Sequence, residues 1–237
     1  MKFARLPLIL AALAALALLL AGPGVRLGLW PFPLAFLIIR YATFTGIAAL
    51  LFAVLLLIVP RTRVSAPRAL LLALALAVPS VAMPLWLLGQ ARSLPPIHDI
   101  STDTVDVPAF VAILPLRAEA SNPVEYGGLE IAAQQLQAYA DITPLLIALP
   151  VDRAFDRALA AAQDMGWEIV ASEASAGRIE ATATTPMFGF KDDVVIRVRP
   201  DGAGSRVDVR SLSRVGRSDL GANAKRIRAY LKRLSAH

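Results

Sequence analysis

Three long apolar stretches without an acidic residue, followed by a half in which strand-spaced segments lie between two helix-spaced ones, predict a membrane-anchored α+β protein. Three transmembrane helices precede a two-layer domain whose antiparallel sheet is covered by helices. The bulk numbers agree: 57% of the 237 residues are hydrophobic and mean hydropathy is +0.60, too apolar for an ordinary soluble chain. Residues 1–92 form the expected membrane segment and 93–237 the expected soluble domain.

The spans are expected at about residues 6–22, 41–59 and 69–88. Their lengths suit roughly 30 Å of hydrocarbon. The first follows Lys2 and Arg5 like a signal peptide, but Leu19 stands where a cleavage site wants a small residue, so the stretch reads as a retained helix. Trp30, Phe32, Phe36 and Arg40 lie before the second span and read as an interfacial belt with a snorkelling arginine. Lys2 and Arg5, together with Arg61, Arg63 and Arg68, outweigh Arg26 and Arg40, and cytoplasmic loops attract positive charge. The N-terminus is therefore expected in the cytoplasm of a bacterial cell, the spans in its inner membrane and the C-terminal domain in the periplasm.

A net charge of +6 and a pI near 10.2 suggest nucleic-acid binding only until the charges are placed along the chain. Residues 1–92 hold eight of the cations and no acid, which leaves 16 Lys and Arg against all 18 acids in the rest. The basic character belongs to the membrane flanks, so no nucleic-acid partner is expected. Cysteine is absent, which excludes disulfides and thiolate metal sites. No cofactor or metal motif stands out. Within the soluble half, Asp99–Glu173 carries twelve acids against three arginines, and residues 174–237 carry thirteen cations against six acids. The two parts are expected to pack against each other, with an uncovered anion-binding face as the alternative.

Taken in order, residues 104–149 are punctuated by prolines and read as an extended arm with a short helix at Glu130–Tyr139. Val151, Ala154, Phe155, Ala158, Leu159, Ala162 and Met165 fall at helical spacing, with Asp152 suited to the N-cap and Gly166 to the stop. Alternation at 167–172 and 178–184 predicts two strands. Val194–Arg199 and Arg206–Arg210 alternate across a Pro200-Asp201-Gly202 turn, which predicts a hairpin. A final helix buries Leu220, Ala224, Ile227, Leu231 and Leu234 behind a Ser218 or Asp219 cap. Two helices cover one sheet face, so Arg178, Glu180, Thr182, Arg197, Arg199, Arg206, Asp208 and Arg210 are expected on a solvated one.

Three clusters are candidates for chemistry. Arg197, Arg199, Arg210, Ser211, Ser213, Arg214, Arg217 and Ser218 gather arginines and hydroxyls near the start of the last helix, where a phosphate or carboxylate would be held. The same run also reads as a strand end followed by a cap. Asp192 and Asp193 suit a cation or an acid–base pair, or else simple turn chemistry. His98 beside Asp99 and Asp103 suits a general base, although the spacing shows no complete zinc ligand set.

The strings Pro95–Asp103, Arg178–Thr185, Phe188–Arg197, Asp208–Ser211 and Arg214–Asn223, in that order, resemble the domain-of-unknown-function family numbered 1499, including its membrane-anchored bacterial members. The resemblance covers roughly Pro95 to Leu234 and implies a cell-envelope domain, with no reaction or ligand to transfer onto particular residues. The expected role is a non-catalytic binding or accessory module, anchored in the bilayer, for a membrane-protein partner or an anionic envelope ligand. The alternatives are a hydrolase or transferase acting on lipid or cell-wall material through His98, Asp192 and Asp193, and a structural subunit of a membrane complex.

Overall fold

The computed structural model describes residues 5–60 and 66–235. Lys2, Arg61 and Arg63, which entered the orientation argument, lie outside the described residues. Two compact units emerge: Met1–Gln90 with Pro186–Gly189, and Ala91–Thr185 with Phe190–His237.

The first unit holds α1 (Leu6–Arg26), α2 (Phe32–Ile58) and α3 (Pro67–Ser93). All three are long and apolar enough to cross a membrane. They run beyond the expected spans at four of the six ends. In particular α2 begins at Phe32, so Arg40 lies within a helix, its guanidinium 5.7 Å from the centre of the Phe44 ring. Most leucines face outward while the buried positions are mostly alanine: Ala11, Ala49 and Ala77 are fully buried in one cluster. Lipid is as apolar as leucine, so close backbone approach over small side chains, rather than water exclusion, holds such helices together. At Gly46 the approach is tight enough that a Cβ would meet Ser80 and Val81 side-chain atoms at 3.2 Å.

The second unit is built on an antiparallel sheet of six strands: β1 (Asp99–Ser101), β2 (Leu145–Ile147), β3 (Glu168–Glu173), β4 (Arg178–Thr184), β5 (Lys191–Asp201) and β6 (Gly204–Ser213). Their order is β1-β6-β5-β4-β3, with β2 also paired to β6. β1 and β2 occupy different stretches of the same β6 edge, against Arg210–Leu212 and Ser205–Val207. Neither of these three-residue strands is visible as alternation in the sequence. The hairpin is longer than expected: pairing passes through Pro200 to Asp201 and Gly204, leaving Gly202 and Ala203 as the turn. Gly202 takes φ +58°, which glycine adopts without steric cost.

Three helices belong to this unit: α4 (Gly128–Ala138), α5 (Val151–Asp164) and α6 (Ala222–Ser235). α5 and α6 lie on one face over Ile179, Ala181, Val194, Ile196, Val198, Val207 and Val209. Trp167 and Tyr230 stack there at 5.1 Å, and the buried Tyr230 hydroxyl donates to the Ala158 carbonyl at 2.8 Å. One cap expectation changes and one stripe residue drops out, while Asp219 caps α6 as expected. Pro150, not Asp152, precedes α5, and Asp152 sits in its first turn. Leu220 lies before α6 with its side chain 46% exposed. The stripe that α6 buries is instead Ala224, Ile227, Tyr230 and Leu234.

The other face is not solvated. Residues 102–127 cross it as an irregular arm with one 3-10 turn at Leu114–Arg117, and Phe110 and Ile113 pack on Val195 and Leu212. Glu180, Thr182, Asp208 and Arg210 are therefore buried. The pairing of acidic and basic parts explains why a segment so poor in regular structure stays down.

Candidate functional site at the end of the central strands

Strand alternation decides the fate of the paired aspartates. Successive side chains on β5 point to opposite faces, so Asp192 joins the helix face and Asp193 the arm face. Asp192 accepts from Arg226 Nη2 at 2.5 Å. Arg226 Nη1 also bonds the Ser211 hydroxyl, at 3.0 Å, and the side-chain oxygen of Asn223. Asn223 Nδ2 in turn donates to the Ser213 hydroxyl at 3.0 Å and to the His98 carbonyl at 2.9 Å. On the far side Asp193 accepts from Arg117 Nη1 at 2.6 Å, Arg214 Nη2 at 2.8 Å and the Thr182 hydroxyl at 2.9 Å. Arg117 Nη2 donates to the Asn122 carbonyl, and Asn122 Nδ2 ties the Ser213 and Gly216 carbonyls. Two adjacent carboxylates with a sheet between them do not form one acid–base pair.

All the arginines singled out above except Arg217 are engaged as well. Arg210, 4% exposed, forms a two-pronged pair with Asp99 at 3.0 and 2.8 Å and donates to the Pro108 and Val124 carbonyls. Its guanidinium also lies over the Phe110 ring at 4.9 Å. Arg197 and Arg199 each reach Asp208 at 3.0 Å and extend to Asp106 at 3.3 and 2.5 Å. The Arg199 hydrogen bond, reinforced by Arg197, holds the Asp106 carboxyl below the ordinary range. Asp103 joins the same group through Arg206 at 2.6 Å. Beside Arg210, burial first and the Asp99 charge second push the Tyr126 phenol up to about 12.

At the start of α6, the backbone N–H groups of Gly221 and Asn223 are taken by the chain's own Asp219 carboxylate at 2.8 and 2.7 Å. An incoming anion finds those donors occupied. Burial raises the Asp219 pKa in spite of them. Ser218 accepts from the Leu220 N–H at 3.3 Å. His98 Nδ1 lies 3.2 Å from the Arg217 carbonyl and, in the tautomer that carries the proton there, donates to it. The Arg217 side chain is exposed and has no ion pair among the described residues. Among those residues no group of three or more His, Asp or Glu is arranged to hold a metal ion.

The structure thus gathers Asp192, Asp193, Ser211, Ser213, Arg214 and His98 at one end of the sheet, and sets Arg197 and Arg199 at the other. Arg117, Asn122, Thr182, Asn223 and Arg226 complete the cluster without having been singled out. Arg117 carried a signal, as one of only three cations among the twelve acids of Asp99–Glu173. Arg226 carried none, because helical spacing also suits a solvated face.

A family model described as a protein of unknown function, DUF1499, matches residues 99–234. The chain belongs to this family. The DUF1499 match opens on the first residue of β1 and closes near the end of α6, so it contains the whole sheet, the arm and both covering helices. The membrane-anchored character rests on α1, α2 and α3, which precede it. No curated protein matches the chain. Within the DUF1499 domain, the ion pairs that unite arm, sheet and α6 all lie between residues of the matched region.

Proposed function

We propose that the protein is a binding or accessory module of the bacterial cell envelope, anchored in the inner membrane with its N-terminus cytoplasmic. Its DUF1499 domain faces the periplasm and presents the loop Arg214–Gly221 to a partner protein or an anionic envelope molecule. The observation that carries the reading is the contrast inside that loop. Its base is fixed by Arg214 on Asp193, by Asn122 on the Gly216 carbonyl and by Asp219 at α6, while Arg217 and Leu220 stand exposed. Leu220 does so at φ +53°, a left-handed conformation that costs a leucine roughly 1 kcal/mol or more. An apolar side chain and a cation without an ion pair among the described residues, set on a rigid base, form a recognition surface, since little ordering entropy is left to lose on binding.

The enzyme reading is weakened by the opposite facing of Asp192 and Asp193. The topology is supported by Arg5 and Arg68, which share a side in that arrangement, together with the sequence positions of Lys2, Arg61 and Arg63. The test uses the full-length chain purified from native membranes after crosslinking. Arg217→Glu with Leu220→Gly is expected to cut partner recovery, or retention on anionic lipid overlays, several-fold while leaving expression unchanged. Identical recovery and overlay profiles would sink the reading.

A further inference from the structure

The helix α4 carries a feature that the loop reading leaves unused. Leu129 is 89% exposed and Leu136 67% exposed, and the exposed Ala133 stands between them at helical spacing, so one whole stripe of α4 is apolar and bare. The helix is not loosely set. Gln135, 2% exposed, accepts from the Ser101 N–H at 2.9 Å and donates to the Ser101 carbonyl at 2.7 Å, which fixes the rotation of α4 against β1. Its sequence contains Glu130 as the single charged residue and no cation.

A second observation places α4 close to where α3 ends. The last turn of α3, Ala91–Ser93, clusters with the C-terminal domain rather than with the other membrane helices. Ser93, Leu94 and Pro95 line a cavity of about 400 Å³ together with Gln134, Gln137 and Ala138 of α4. The C-terminal half of α4 is thus held beside Ser93–Pro95, the residues at which α3 ends. α3 has 27 residues, about 40 Å of helix against about 30 Å of hydrocarbon, which brings its end to the headgroup level.

We infer that α4 lies in the membrane interface, with Leu129, Ala133 and Leu136 inserted at the boundary between headgroups and acyl chains. Its occupant is the lipid surface itself. Because the helix has no lysine or arginine, insertion depends on apolar contact and not on attraction to anionic lipid, unlike the usual basic interfacial helix.

The absence of cysteine allows a direct test on the full-length chain in lipid vesicles. Leu129→Cys and Leu136→Cys are spin-labelled one at a time, with Asp201→Cys in the exposed hairpin turn as the aqueous control. Collisional relaxation is then compared for dissolved oxygen, which concentrates in lipid, and a water-soluble nickel chelate. The expected result is several-fold greater oxygen than nickel accessibility at 129 and 136, the reverse at 201, and the same values in high salt and with or without anionic lipid. Nickel access at 129 and 136 would overturn the proposal, because α4 would then face water. Exclusion of both reagents would overturn it too, because a protein surface would then cover the stripe. An oxygen preference that vanishes in high salt would overturn the apolar mechanism.

Discussion

The two faces of the central sheet are both buried, yet they are buried by different chemistry. Beneath α5 and α6 the strands present Val194, Ile196, Val198, Val207 and Val209, and away from the Asp192–Arg226 end the contacts are apolar. Beneath the 102–127 arm they present Glu180, Asp193, Asp208 and Arg210, and charge dominates. The difference follows from what does the covering. A helix satisfies its own backbone and can rest on aliphatic side chains. An irregular segment brings bare N–H and C=O groups to the sheet, and each must find a partner there. Glu180 supplies one, accepting from the backbone N–H groups of Val111, Ala112 and Ile113 at 3.0, 3.0 and 2.9 Å. Arg210 and Arg197 supply the converse, donating to the carbonyls of Pro108, Val124 and Asp106. The charged face is thus a matching surface for an arm without secondary structure.

The largest expected effect comes from stranding a charge on that face. Arg210→Ala leaves Asp99 buried without its partner and strips a donor from two carbonyls, for a loss of about 3–5 kcal/mol. On the apolar face Ile196→Ala is expected to cost a similar 2–5 kcal/mol, through a cavity. The faces separate in the rescue. Arg210→Met with Asp99→Leu, which strands no charge, is expected to recover part of the loss. Hydrogen exchange of β5 and β6 peptides in the detergent-solubilised full-length chain reads both. A double variant no more protected than Arg210→Ala would mean that the pair does more than match the arm.

A smaller and more local effect is expected at Glu180. Glu180→Gln keeps the shape but replaces one acceptor oxygen with an N–H₂ group that confronts a backbone donor, at a cost of about 1–3 kcal/mol. Exchange of the amides at 111–113 should accelerate while the amides of α5 and α6 keep their protection. Uniform acceleration would show that arm and helices open together, and the two-face distinction would lose its meaning.

How much of this was legible depended on regularity. The three apolar helices show as unbroken apolar runs, while α5, α6 and the β5–β6 hairpin show a period, and periodic burial leaves a periodic sequence. The arm-covered face shows a period too, but arginines and acids alternating with valines look the same whether water or a proline-rich arm covers them. β1 and β2, at three residues each, are shorter than any window in which alternation is measurable. The site was half legible for the same reason. Asp192, Asp193, Ser211, Ser213 and Arg214 lie close together on the hairpin, whereas Arg117 and Asn122 meet Asp193 and Ser213 only through long-range packing.

Where helix and sheet meet, Asp219 lets pH sharpen the comparison. Burial raises its folded pKa, so its contribution to stability is fully present below the ordinary unfolded carboxyl value of about 3.9 and is lost as pH rises through the raised one. Asp219→Asn removes this titration. Wild type should therefore gain on the variant as pH falls through that window, and thermal midpoints of the two proteins across the mildly acidic range test it. Parallel midpoint curves would assign the carboxyl an ordinary pKa and leave its bonds to Gly221 and Asn223 as its whole contribution.

The smallest expected change is of opposite sign and lies outside both faces. Leu220 holds φ +53° with nearly half its side chain exposed. Leu220→Gly relieves the left-handed strain and loses little apolar burial, against a larger entropy loss on folding, for a net gain of up to about 1 kcal/mol. A measured gain in denaturant midpoint, together with lost partner recovery, would mark this position as one where stability is sacrificed to recognition. A loss of stability would mean that Leu220 packs more than its exposure indicates. The loop would then belong with the matched, arm-covered face and not with the proposed recognition surface.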